Sequence, residues 1–131
     1  MRVLLDTHVL LWSLMEPDRL PAELRDALAD AGHHVMFSAV NIWEVAIKKS
    51  LGKPGFDFSP EDVLRAARAT HFVELPVSAE HAARVLTLEP LHHDPFDRLL
   101  IAQALCEPAR LLTADRMISR YRAPVDLMVP Q

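Results

Sequence analysis

Short apolar runs alternating with stretches of helical character constrain the fold more than any other feature of this chain. The runs fall at residues 3–5, 35–37, 72–75, 111–113 and 125–129, each β-branched or Leu-rich, and each reads as a strand. Helices are predicted over 9–14, 22–31, 40–51, 60–70, 79–88, 95–106 and 117–121. Ser59-Pro60-Glu61-Asp62 is a helix start, with Ser59 as N-cap, Pro60 at N1 and Asp62 at N3, while Gly32 and Gly52 stand where helices should stop. Right-handed βαβ crossovers are the economical way to join such strands. The alternation therefore predicts an α/β domain, with a central, mainly parallel sheet of about five strands flanked by helices.

The chain is 131 residues long and 50% hydrophobic, enough for one full core, so a single domain over 1–131 is expected. With 3 Gly, 10 Pro, no Ser/Gly-rich stretch and no repeat period, there is no sign of a linker or a solenoid. The opening MRVLLDTHVLLW carries Asp6 and His8 within its apolar run and lacks a small-residue cleavage site. Neither a signal peptide nor a membrane span is expected, which points to the cytoplasm. Cys106 is the single cysteine and is expected to be a buried small hydrophobe at a helix end. The formal net charge of -4 argues against holding nucleic acid by bulk positive charge. It leaves open an enzyme that meets phosphate through a bound cation.

In parallel sheets function gathers at the strand carboxyl ends. Asp6 ends the first run, Ser38 follows the second, and Thr113 and Asp115 follow the fourth. Glu44 lies inside AVNIWEVAIKK, where almost every neighbour is apolar; an ion pair with Lys48 at i+4 is its ordinary explanation, and a polar cleft is the better one for so apolar a helix. Asp97 follows Pro95-Phe96 at the start of RLLIAQAL, and Asp94 precedes them. Each acid alone is explicable as a helix cap or an ion pair. Together, strand-end geometry brings Asp6 and Asp115 to one edge, where Glu44 and Asp97 can meet them. Two unit charges about 4 Å apart at an effective dielectric near 20 repel by about 4 kcal/mol, so four carboxylates in one cleft need compensation. Mg²⁺ or Mn²⁺ prefers such a hard oxygen ligand set, and the chemistry it supports is phosphoryl transfer.

VLLDTHVLLW, SAVNIWEVAIK, HHDPFDRLLIAQA and LLTADR, in that order, resemble the PIN-domain ribonucleases, specifically the VapC-type toxins of bacterial toxin–antitoxin pairs. The resemblance runs from about Arg2 to Tyr121. It implies a PIN-like fold around a parallel sheet, with Asp6, Glu44, Asp97 and Asp115 as an acidic quartet that binds Mg²⁺ or Mn²⁺. Thr7, Ser38 and Thr113 match positions that often carry hydroxyls near the site. The implied activity is endonucleolytic cleavage of RNA, with products bearing a 5′-phosphate and a 3′-hydroxyl. The implied partners are an RNA substrate, a VapB-type antitoxin and a second copy in a homodimer. Asp94 precedes proline and is biased towards the N-cap, whereas Asp97 lies in the first turn, so Asp94 caps and Asp97 binds metal. The swapped assignment, or Asp94 as an outer ligand, stays open.

Arg98 and Arg116 each directly follow a proposed metal ligand and are candidates for substrate phosphate, whereas a solvated face is favoured for Lys48, Lys49 and Lys53. His33-His34 and His92-His93 belong to no HExxH-type pattern and read as turn residues or solvated helix ends. His8 suits either packing or the cleft. Trp12, Trp43 and Phe96 are expected in the core rather than as base-stacking platforms. Surplus apolar surface on the helices over 22–31 and 40–51 would suit a dimer or an antitoxin. Three rivals remain: a haloacid-dehalogenase-like phosphatase, which generally needs a second Asp where His8 stands; a non-enzymatic interaction module; and a DNA-directed nuclease.

Overall fold

The computed structural model describes residues 2–90, 94–115 and 125–127. Strands β1 (Arg2–Leu5), β2 (His34–Ser38), β3 (Val73–Leu75), β4 (Arg110–Thr113) and β5 (Val125–Leu127) form one sheet in the order β3-β2-β1-β4-β5. Every neighbouring pair is parallel, as the alternation predicts. Among the described residues six α-helices cover the sheet: α1 (Thr7–Met15), α2 (Ala22–Ala29), α3 (Ala39–Ser50), α4 (Pro60–Arg68), α5 (Ala79–Arg84) and α6 (Pro95–Cys106). None is long and apolar enough to cross a membrane.

Parallel strands covered on both faces must be apolar at successive positions, which explains the unbroken runs. Leu5, Val35, Phe37 and Leu112 turn to one face, against Val9, Leu10 and Leu11 of α1, Leu28 of α2 and Val63 of α4. Leu4, Met36, Leu75 and Leu111 turn to the other, against Phe96, Leu100 and Ile101 of α6. Helix α3 serves both, through Val45 and Val40 respectively. Leu4, Leu5, Leu10, Leu100 and Leu111 are fully enclosed. Each such side chain contributes about 1.5–3 kcal/mol of transfer free energy.

Several element bounds depart from expectation for identifiable reasons. Helix α1 begins at Thr7 rather than residue 9 because Asp6 is itself the N-cap, accepting the Thr7 N–H at 2.7 Å. Ser59 caps α4 as expected, accepting from the Asp62 N–H at 3.4 Å with Pro60 at N1. Gly52, just past α3, adopts φ +69°, a conformation that strains any residue with a Cβ. The helix predicted over 79–88 breaks after Arg84 into a 3-10 turn, Val85–Thr87, where the Val85 carbonyl accepts from both the Leu88 N–H and the Arg98 guanidinium. Trp12 and Phe96 are buried as expected, but Trp43 is 51% exposed, with one edge-on contact to Phe96 at 4.6 Å between centroids. Its position, one residue from Glu44 on α3, leaves it at the rim of the layer that contains Phe96. Cys106 ends α6 half-buried rather than enclosed. The helix predicted over 117–121 lies outside the described residues.

The strand order places the site. The chain lays down β1, β2 and β3 in one direction and then returns to add β4 and β5 on the far side of β1. In a sheet with such a reversal the crevice lies beyond the carboxyl ends of the strands on either side of it, here β1 and β4.

Candidate active site

Asp6 leaves the end of β1 and Thr113 ends β4, with Asp115 two residues on, so both sides of the crevice carry an acid. Glu44 projects from the second turn of α3, and Asp94 and Asp97 come from the start of α6. An open cleft of about 320 Å³ is lined by these five acids with His8, Trp12, Lys48 and Ala114. Asp6, Glu44 and Asp97 are buried, at 5%, 3% and 7% exposure. Carboxylates so enclosed are rare unless paired or bound to a cation.

Hydroxyls hold the acids in place. Thr7 Oγ1 donates to Glu44 Oε1 at 2.6 Å, and Thr113 Oγ1 donates to Asp6 Oδ2 at 2.7 Å while accepting the Asp115 N–H at 3.0 Å. Ser38, the third hydroxyl candidate, is elsewhere: fully buried, it caps α3 and donates to Gln103 Oε1 at 2.5 Å, away from the cleft lining. Lys48, expected on a solvated face, instead enters the cleft. Its Nζ lies 2.6 Å from Glu44 Oε2 and 2.9 Å from Asp94 Oδ2. Lys49 does pair at the surface, with Asp57 at 3.2 Å.

Burial and mutual repulsion dominate the electrostatics. Asp97 is pushed up to about 9, first by desolvation and then by the charges of Asp6, Asp94 and Glu44. Asp6 rises to about 6, again mainly by burial, with the Thr113 hydrogen bond opposing. Burial also acts on Asp94, but the Lys48 ammonium and the backbone N–H groups of Asp97 and Phe96 outweigh it and hold that carboxyl below its ordinary range. Desolvation lowers His8 below its ordinary range, and the ring packs on Trp12 and Phe56 at 5.7 and 4.9 Å while lining the cleft.

The two acids that bracket Pro95-Phe96 divide their work. Asp94 is the N-cap of α6, with Oδ1 accepting from Phe96 N at 2.9 Å and Asp97 N at 3.2 Å, and Oδ2 left for Lys48. Asp97 points into the cleft. Yet Glu44, Asp94 and Asp97 each present an oxygen within 4.8 Å of the other two, so Asp94 joins the tightest group of potential ligands among the described residues. No histidine belongs to such a group there. Arg98, a candidate for phosphate, is committed instead to the carbonyls of Glu89 at 3.1 Å and Val85 at 3.2 Å and does not line the cleft. Arg116, His92 and His93 lie outside the described residues.

Sequence reasoning missed Asn41. Fully buried, it accepts the Ser38 N–H at 2.7 Å and donates to the Leu5 carbonyl at 3.1 Å and to Thr7 Oγ1 at 3.0 Å. Because Asn41 donates to the Thr7 hydroxyl, that hydroxyl's own proton is directed to Glu44. The signal was present: Ser38 followed three residues later by Asn41 is a capping-box spacing with Asn in the place of Glu or Gln.

Comparison with known proteins agrees with this geometry. No curated protein matches the chain by sequence. Among solved structures, one chain of VapBC2 from Rickettsia felis, bound to a DNA fragment from its promoter, superposes with a TM-score of 0.74 at 17% identity, covering 98% of this chain and 99% of that one. DNA-bound VapBC from Salmonella typhimurium gives 0.67 at 15% identity over 96% and 97% of the two chains. VapBC-5 from Mycobacterium tuberculosis, a member of the VapBC toxin–antitoxin family, gives 0.60 at 17% identity over 98% and 99%. The PIN domain family model matches residues 3–124, so this chain, with its acids gathered at the crevice between β1 and β4, belongs to the PIN domain family of nucleases.

Proposed function

We propose that this chain, a single PIN domain over residues 1–131, is a Mg²⁺- or Mn²⁺-dependent endoribonuclease and the toxin of a toxin–antitoxin pair, acting in the cytoplasm. The observation that carries this reading is the convergence of Asp6, Glu44, Asp94, Asp97 and Asp115 on one cleft in a PIN domain. Membership in that family sets aside the phosphatase alternative. The likeness to chains of VapBC complexes supports the toxin assignment and, with it, a VapB-type antitoxin and a homodimer as partners. Trp43, Ile47 and Leu51 form an exposed apolar stripe along α3 at i, i+4 and i+8, surface that such an association would use.

The residues fit a hard divalent cation. Their donors are carboxylate oxygens, and burial with the neighbouring charges of Asp6, Asp94 and Glu44 pushes Asp97 up, a repulsion that a bound cation would relieve. Asp6, Glu44, Asp97 and Asp115 would hold the ion, and Asp94, with an oxygen within 4.8 Å of those of Glu44 and Asp97, would reach it as well. When bound, the cation supplies acidified water for in-line attack on phosphorus and neutralises charge on the attacking and leaving oxygens. Thr7 and Thr113 keep Glu44 and Asp6 from rotating out of the cleft. Asp97 would hold the ion as a carboxylate, the form that a hard cation favours. His8, lowered by burial, lines the same cleft.

The test is cleavage of a mixed panel of structured RNAs, with single-stranded DNA of matching sequence as competitor, by wild type, Asp97→Asn and Asp94→Asn in Mg²⁺, Mn²⁺ or chelator. Metal-dependent cuts leaving a 5′-phosphate and 3′-hydroxyl, lost in Asp97→Asn and not competed by DNA, are the expected result. Full activity in Asp97→Asn, or cleavage in chelator, would overturn the mechanism; preferential cutting of DNA would move the substrate class.

A further inference from the structure

Among the described residues, Lys48 brings a cation into the lining of the acidic cleft. It reaches in from α3, one turn beyond Glu44, and spans from that residue to Asp94 at the start of α6 with two contacts under 3 Å. The ammonium also stands 5.1 Å from the Phe56 ring centroid and 5.5 Å from that of Phe96. Two aromatic faces and two carboxylates thus define its seat, and its side chain is 21% exposed. The oxygens it engages belong to Glu44 and Asp94, two of the three acids whose oxygens lie within 4.8 Å of one another.

Resting on the metal-dependent reading above, we propose that Lys48 is a positioning residue that competes with the divalent ion for Glu44 and Asp94 and thereby sets the affinity of the site. In the metal-free protein its charge holds α3 and α6 together across the cleft and keeps the two carboxylates from repelling each other. Cation entry then requires the ammonium to yield at Glu44 or to share it. Either outcome weakens metal binding relative to the same cleft without the lysine, because like charges at this range repel strongly where solvent screening is poor. A merely structural ion pair would make a different prediction: its removal lowers stability and leaves metal affinity unchanged or weaker.

The experiment is a Mn²⁺ titration of the full chain without RNA, read by electron paramagnetic resonance, beside melting temperatures with and without Mn²⁺. The proteins are wild type, Lys48→Met, Lys48→Arg, and Lys48→Met combined with Asp97→Asn. Lys48→Gln, neutral but still a hydrogen-bond donor, replaces Lys48→Met if that variant aggregates. The expected result is Mn²⁺ binding about tenfold tighter or more in Lys48→Met, equivalent to about 1.4 kcal/mol. Lys48→Arg should stay near wild type, and the double variant should lose the gain. Metal-free Lys48→Met should melt lower than wild type and recover more on Mn²⁺ addition. Equal or weaker Mn²⁺ affinity in a folded, neutral variant overturns the competition. Absence of Mn²⁺ binding in wild type and variants alike overturns the metal reading itself, and the competition with it.

Discussion

Replacing Asp97 by Asn should make the metal-free protein more stable, and by an amount that grows with pH. In the unfolded chain the carboxyl ionises near its ordinary value of 3.8, whereas in the folded cleft it holds its proton to about 9. Between those limits the folded state binds more protons than the unfolded one, so stability falls as pH rises, by about 1.4 kcal/mol per unit. The contribution is fully favourable below about pH 4 and is lost progressively up to about pH 9. Asparagine carries no proton to lose. At pH 7, about three units above the ordinary carboxyl value, the variant's advantage is about 4 kcal/mol, less about 1 kcal/mol if the amide satisfies one hydrogen bond fewer. Asp6, raised to about 6, steepens the decline of both proteins between pH 4 and 6 and largely cancels in the difference. Urea unfolding in chelator at pH 5, 7 and 8.5 measures this directly. A difference that does not change with pH, or a variant less stable than wild type at pH 8.5, would show that Asp97 is ionised and compensated in the folded protein. Either result would refute the electrostatic account of the cleft.

Further expectations concern the ion, the buried network and the exposed stripe. Mn²⁺ should raise the melting temperature, chelator should reverse it, and the shift should shrink as pH falls towards 5, because protons on Asp97 and Asp6 compete with the ion; an equal shift at pH 5 and 8 would contradict this. Asn41→Leu should cost about 2–3 kcal/mol in chemical denaturation, since the Ser38 N–H and Leu5 carbonyl lose a buried partner, and a loss under about 0.5 kcal/mol would show that the backbone finds substitutes. Phe37→Ala should cost about 3–5 kcal/mol and Trp43→Ala under about 1 kcal/mol, in line with enclosure of the first and 51% exposure of the second. A reversed order in the melting temperatures would place Trp43 in a packed interface.

The fold was legible in the amino-acid sequence because its determinants are local. Runs such as VLL and VMF demand burial on both faces, which a parallel sheet under two helical layers supplies. Caps at Asp6, Ser59 and Asp94 are set within three residues of themselves. The acids that line the cleft were legible too, since strand ends and helix starts deliver them to one edge wherever the chain reverses its strand order. Side-chain direction and long-range partnership were not. Only the tertiary structure brings Thr113 to Asp6 across 107 positions and Lys48 to Asp94 across 46. It likewise turns Arg98 onto the carbonyls of Val85 and Glu89 and leaves Trp43 half outside the layer that holds Phe96. A residue's type and spacing fix what it can bond. Which partner it meets depends on how two layers pack on the sheet, and on where burial brings charges together.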